Sequence, residues 1–220
     1  MFFKNFKVWE TEFAGRKLSV ETGKMAGLAN ASVMVRYGDT NVLCTVTASA
    51  KPREGVDFFP LSVDYEEKMY SVGRIPGSFQ RREGRASEKA ILTSRCIDRP
   101  IRPLFPKDLR NDCSVVATVM SVNPDCSPEI AAMIGVSTAI AISDIPWDGP
   151  ISGVNVGLVD GEIVLNPTLE QRAKTDLNLT VASTADLVAM IEAGGNEISD
   201  DLMFDCILQS FCGSPHFYTY

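Results

Sequence analysis

The sequence predicts an α+β fold in which mixed β-sheets are packed with helices. Short runs alternate polar and apolar residues and are separated by Gly- and Asp-containing turns, as strands and hairpins require. Three other stretches show helical spacing or helical caps. No linker, low-complexity tract or repeat divides the 220 residues, so one domain is expected.

The elements follow in order. Phe6 to Phe13 alternates as a strand, and Ala14-Gly15-Arg16-Lys17 turns the chain into a second strand, Leu18 to Thr22. Ala31–Tyr37 and Asn41–Thr47 flank Gly38-Asp39-Thr40, a hairpin signal. Phe58 to Tyr65 is a further strand, which Pro60 assigns to an edge or an end. A helix is expected from Ser87 to Asp98. Ala86, Ala90, Leu92, Thr93, Cys96 and Ile97 fall on its buried arc and Arg95 and Arg99 opposite, with Pro100 and Pro103 stopping it. Ser114–Val122 is apolar on both faces and reads as a central strand. Ser127-Pro128-Glu129 gives a cap, a first-turn proline and an early acid for a helix to Ser143 that is apolar almost all round, hence buried. Ile151–Leu158 and Glu162–Leu165 pair around Asp160-Gly161. Asp176 to Ala182 is a strand with Leu177, Leu179 and Val181 on one face and Asn178 and Thr180 on the other. Thr184 to Ala193 is compatible with strand or helix. A last helix starts near Glu197, capped by Ser199, and runs to Leu208.

Composition removes several classes of function. The only histidine is His216, which excludes histidine-based triads and most zinc sites. The six cysteines include no Cys-x-x-Cys pair and most sit in apolar patterns, so they read as reduced, mostly buried thiols. No apolar run reaches transmembrane length, and the N-terminal residues are too soon charged for a signal peptide. A cytoplasmic location without membrane contact is expected.

The charge distribution points to a partner. The whole chain carries net charge -7, yet Arg74 to Arg110 holds ten basic residues against four acidic ones. A cationic segment on an anionic protein attracts a polyanion. Phe79, beside Arg81 and Arg82 after a Pro-Gly turn, adds a stacking ring, the combination that single-stranded nucleic acid binding uses. The same arginines could instead pair on the surface, Asp98 with Arg95 or Arg102, and Glu88 along the stripe of Arg95.

Longer motifs carry a resemblance. Gly15-Arg16, Leu18, Glu21-Thr22-Gly23, Ser32-Val33 and Gly38-Asp39-Thr40 followed by Val42 resemble the opening of the RNase PH family. Ile75 to Phe105 resembles its polynucleotide phosphorylase branch, as do Ser121-Val122-Asn123-Pro124, Ile145-Pro146 with Asp148-Gly149-Pro150, and Leu165-Asn166-Pro167-Thr168. The resemblance runs from about Phe3 to Asp205. It implies an RNase PH-like core domain over residues 1–205, the first of two, and a tail over 206–220 that departs from the family as a truncated or frameshifted end would.

The resemblance also implies an activity: phosphorolytic 3′→5′ degradation of RNA, in mRNA decay, by a homotrimer with degradosome-type partners. Single-stranded RNA is then the substrate, phosphate the co-substrate and Mg2+ the cofactor. The family's metal and phosphate residues belong to its second core domain. Here Asn178 and Thr180 stand where that domain has aspartate and lysine, Arg172 near its other aspartate, and Pro128 and Glu129 near its phosphate-holding serines. No catalytic and no metal-binding residue is therefore expected in this chain. The family's Phe-Phe-Arg-Arg loop, which grips RNA, stands here as Phe79-Gln80-Arg81-Arg82. With Arg85, Arg95, Arg99 and Arg102 it makes up the expected RNA-binding set, some of whose members would form salt bridges within the domain. The alternative is a non-catalytic RNA-binding or structural ring subunit of exosome type.

Overall fold

Turn chemistry sets the first sheet of this computed structural model, which describes residue 3 and residues 5–213. β1 (Lys7–Phe13) and β2 (Arg16–Thr22) join through Ala14 and Gly15, both left-handed at φ 48° and 71°, as a two-residue hairpin requires. β3 (Ala31–Tyr37) and β4 (Thr40–Pro52) meet at Gly38 and Asp39. Gly38 has φ 55°, and a Cβ there would lie 2.7 Å from Cys126 Sγ. The long β4 pairs with β3 on one edge and antiparallel with β6 (Asn111–Ser121) on the other. β5 (Leu61–Glu67) then adds parallel to β6 as the outer strand, starting just after Pro60. β5 and β6 are connected through helix α1 (Glu88–Ile101), a βαβ crossover.

The second sheet is antiparallel, in the order β10-β9-β7-β8: β7 (Ser152–Val159), β8 (Glu162–Leu165), β9 (Leu177–Ser183) and β10 (Val188–Gly195). Asp160 and Gly161, both at positive φ, make the β7–β8 turn. On β9, Leu177, Leu179 and Val181 are buried and Asn178 is exposed, in the expected alternation. The open stretch after Thr184 is the strand β10, an edge whose residues are exposed apart from Met190.

Helix α2 (Pro128–Ala141) lies between the sheets, touching β3, β4 and β6 of the first and β7 of the second. Ser127 caps it by accepting from Ile130 N. A Cβ on Gly135 would stand 2.5 Å from Cys44 Sγ and 2.8 Å from Val35 Cγ2, so the glycine sets how closely helix and first sheet approach. Met133 lies against Gly153 of the second sheet. Ser137 Oγ accepts from Ile151 N at 2.8 Å. A polar bridge adds to this. Arg16 Nη1 donates to Asn166 O at 2.8 Å and Asn166 Nδ2 to Tyr37 Oη at 3.2 Å, tying β2 and β3 to the segment after β8.

Three expectations are corrected. α1 does not stop at Asp98: it runs to Ile101 with Pro100 in its last turn. A proline there removes only the bond to the Cys96 carbonyl, and the burial of Pro100 and Ile101 offsets the loss. Leu92 is 63% exposed, because the buried stripe is Ala90, Thr93, Ile97 and Ile101, and Leu92 shares a face with Arg95 and Arg99. Ala86 is likewise exposed, lying before the helix begins. The sequence reading also passed over a 3-10 turn, Met69–Val72, and the short helix α3 (Leu169–Arg172), capped reciprocally by Thr168 and Gln171. The last helix is α4 (Asp200–Gly213), which buries Cys206 and Ser210. His216, Phe217, Tyr218 and Tyr220 lie outside the described residues.

Gly135→Ala pits two effects against each other. Alanine gains about 1 kcal/mol of helix propensity, but overpacking at a fixed interface costs about 1–3 kcal/mol. The clash is with core atoms of β3 and β4, so urea denaturation is expected to show net destabilisation. An unchanged or raised midpoint would contradict the close approach described here.

Candidate nucleic-acid interface

The arginine segment leaves the carboxyl end of β5 and returns at the N-terminus of α1, the end of a βαβ unit where ligands are commonly held. Its base is braced. Glu83 Oε1 accepts from Met69 N at 2.9 Å, which ties the segment to the 3-10 turn Met69–Val72. Ser87 caps α1, accepting from Ala90 N at 3.1 Å. Between these anchors the chain folds tightly over Ser78 to Arg82. Arg81 N donates to Ser78 O at 2.9 Å, and Ser78 Oγ donates to Arg82 O at 3.2 Å. Arg81 sits at φ 53°, a left-handed conformation that costs a non-glycine residue roughly 1 kcal/mol or more.

The turn holds Phe79 away from every neighbour, with its side chain fully exposed. Gln80, Arg81, Arg82 and Arg85 are exposed beside it. Among the described residues, Arg81, Arg82, Arg85, Arg95 and Arg99 have no ion-pair partner. Arg95 and Arg99 form one exposed stripe of α1, about 12 and 18 Å from its N-cap at the helical rise. The pairing of Arg95 with Glu88 or Asp98 that the sequence left open does not form.

Arg102 is used differently. Its Nε and Nη2 bind both oxygens of Asp98 at 3.0 and 2.7 Å, and Nη2 also donates to Leu61 O at 3.1 Å. The forked contact with Asp98 holds the guanidinium in place at the end of α1, and the bond to Leu61 O fastens that end to the start of β5. The structure thus separates the expected set into six side chains free to meet a polyanion and one committed inside the domain. The Asp98–Arg102 pair is one of the alternatives the sequence left open, whereas Glu83's bracing role and the bond from Arg102 to Leu61 O are tertiary and had no sequence signal.

The positions that the resemblance aligned with a metal and phosphate site have other chemistry. Asn178 offers a neutral amide to solvent. Thr180 Oγ1 donates to Asn155 Oδ1 at 2.9 Å, and the Arg172 guanidinium donates to Pro124 O. Glu129 is 2.7 Å from Lys89 Nζ and accepts from Ser127 Oγ at 2.6 Å. Burial alone would raise the Glu129 pKa. The bonds from Lys89 and Ser127 outweigh it and hold the carboxyl below its ordinary value, so it is anionic where a phosphate would have to sit. These residues do not fit a divalent cation or a phosphate. The one thiol near this surface, Cys96, donates to Glu192 Oε2 at 2.9 Å, and burial followed by that carboxylate pushes its pKa up to about 12. It is no nucleophile at neutral pH.

Comparisons with known proteins give the family. Residues 14–146 match the model described as 3′ exoribonuclease family, domain 1, and residues 149–211 the model described as 3′ exoribonuclease family, domain 2. The first match covers most of the large sheet with α1 and α2, the second the small sheet and most of α4. The chain is 65% identical over 202 residues to the polyribonucleotide nucleotidyltransferase of Ruminiclostridium cellulolyticum and 60% identical over 202 residues to that of Clostridioides difficile. Each alignment covers 92% of this chain and 29% of the relative, so the chain spans under a third of the length of these curated relatives. The crystal structure of rice (Oryza sativa) Rrp46 shares the fold, with a TM-score of 0.70 at 16% identity over 97% of this chain and 90% of that one. Among the described residues no helix is long and apolar enough to cross a membrane.

Replacing Arg102 by alanine is expected to lower stability by about 1–2 kcal/mol, the range for charge-assisted bonds at a half-exposed site. The salt dependence of RNA binding should stay as it was. Thermal melting and a salt titration of binding check both halves. A flattened salt slope would return Arg102 to the interface.

Proposed function

The chain belongs to the 3′ exoribonuclease family, and on that footing we propose that it is the first RNase PH-like core of a polyribonucleotide nucleotidyltransferase. In this reading it grips single-stranded RNA and builds the homotrimeric ring of a cytoplasmic, phosphate-dependent 3′→5′ exoribonuclease acting in mRNA degradation, with degradosome-type partners. In that reaction a phosphate oxygen attacks the 3′-terminal phosphodiester. The nucleoside diphosphate is released and the shortened strand keeps its 3′-hydroxyl. Mg2+ and phosphate are handled by a second core domain, because the donors at the aligned positions here do not fit them.

The observation that carries the proposal is the set of unpaired guanidinium groups around the exposed Phe79 ring. Arginines without internal partners keep their charge available for phosphates, and a ring with no packing role is free to stack on a base. Contacts of this kind do not read sequence, which suits processive degradation of any strand. A non-catalytic ring subunit would share this grip. The high identity to proteins named as the enzyme favours the enzyme component.

Two measurements test the reading. Changing Arg81 and Arg82 together to alanine should weaken binding of every single strand alike. It should also reduce the slope of log K against log salt by about 1.4, since each phosphate contact on a single strand contributes about 0.7. Gln80→Phe, which restores a second ring, should tighten binding by about 1 kcal/mol. An unchanged slope in the double variant would assign the arginines to the surface. Separately, the chain incubated with single-stranded RNA, phosphate and Mg2+ should release no nucleoside diphosphate. Robust release would overturn the assignment of chemistry to a second core domain.

A further inference from the structure

The 3-10 turn beside the arginine segment carries a ring of its own. Tyr70 is 52% exposed, and its hydroxyl lies 3.1 Å from Met120 Sδ at the end of β6. The turn is rigidly built. Gly73 closes it in a left-handed conformation and donates to Tyr70 O at 3.0 Å, and Arg74 N donates to Met69 O at 3.0 Å. The Glu83 bond to Met69 N places this turn against the backbone next to Arg82. Val72 and Ile75 are 60% and 70% exposed between the two rings in sequence.

We propose that Tyr70 is a second base-stacking surface for single-stranded RNA, beside Phe79 and in place of the ring that Gln80 lacks. The inference rests on the RNA-gripping function proposed above. Charge decides between occupants. Glu83, the one carboxylate between Arg74 and Arg85, accepts from a backbone N–H at the turn, and the four guanidinium groups of Arg74, Arg81, Arg82 and Arg85 outnumber it in a segment that also exposes Ile75 and Phe79. Apolar faces in a segment of net positive charge complement bases strung on phosphates, and phosphates carry the density of negative charge that such a segment attracts. Tyr70 is pinned by Met120 and by the braced turn, so its ring loses little freedom on stacking.

The test uses two labelled strands of equal length, an oligoadenylate and an abasic deoxyribose-phosphate strand, bound to the whole chain and followed by fluorescence anisotropy. Tyr70→Leu keeps apolar bulk and removes the π-face. It should weaken the oligoadenylate by about fivefold or more and leave the abasic strand unaffected. Tyr70→Trp should tighten the oligoadenylate alone. Arg81 and Arg82 changed together should weaken both strands. If Tyr70→Leu changes neither strand, or weakens both equally, the ring does not stack on bases and the proposal fails. It fails equally if Tyr70→Leu alters only self-association by light scattering, which would give the surface to a second copy. If the double arginine variant binds both strands as the parent does, the RNA-gripping function falls and this proposal with it.

Discussion

A helix with no polar face can exist in water only if something covers it on every side. α2 meets that constraint by lying between two sheets of different size, and the rest of the architecture follows from it. The six-stranded sheet and the four-stranded sheet have no strand in common. What joins them is the helix, with Gly135 drawn against β3 and β4 on one side and Met133 against Gly153 on the other. The Arg16–Tyr37–Asn166 bridge closes the same gap with polar groups that satisfy one another.

With the core fixed in this way, the outer strand β5 and helix α1 become a rigid frame for an irregular loop. The frame does the ordering, and the loop itself contributes few contacts. Arg102 pairs with Asp98 and, through Leu61 O, bolts the far end of α1 to the start of β5, and Lys89 pairs with Glu129 across the first turns of α1 and α2. Both pairs use up charge that composition alone would count toward a polyanion. The guanidinium groups left over are those on the loop and on the outward stripe of α1, so the cationic surface is smaller than the sequence suggests.

The sequence made much of this legible. Hairpins marked by Ala14-Gly15, Gly38-Asp39 and Asp160-Gly161 are where they were expected, because a two-residue turn depends on local backbone chemistry alone. The cap at Ser127 and the alternation on β9 are local in the same sense. What could not be seen was tertiary. Pro100 inside a helix is tolerable only because the core takes up Pro100 and Ile101, and Leu92 looks buried until the neighbours of α1 fix which face turns inward. The 3-10 turn at Met69 has no periodic signal, and its cap comes from Glu83, fourteen residues away. At the candidate interface the identity of the residues was readable, but not which arginines were already engaged.

The Glu83 brace places a limit on how this surface can drift over evolutionary time. Adding positive charge is the easy route to a tighter hold on a polyanion, and Glu83 is the obvious acid to discard. Yet its carboxylate is what fastens the loop to the neighbouring turn, so discarding it exchanges order for charge. A lineage that needs a stronger grip is therefore steered away from electrostatics and toward the aromatic positions, where a larger ring can be fitted without unfastening anything.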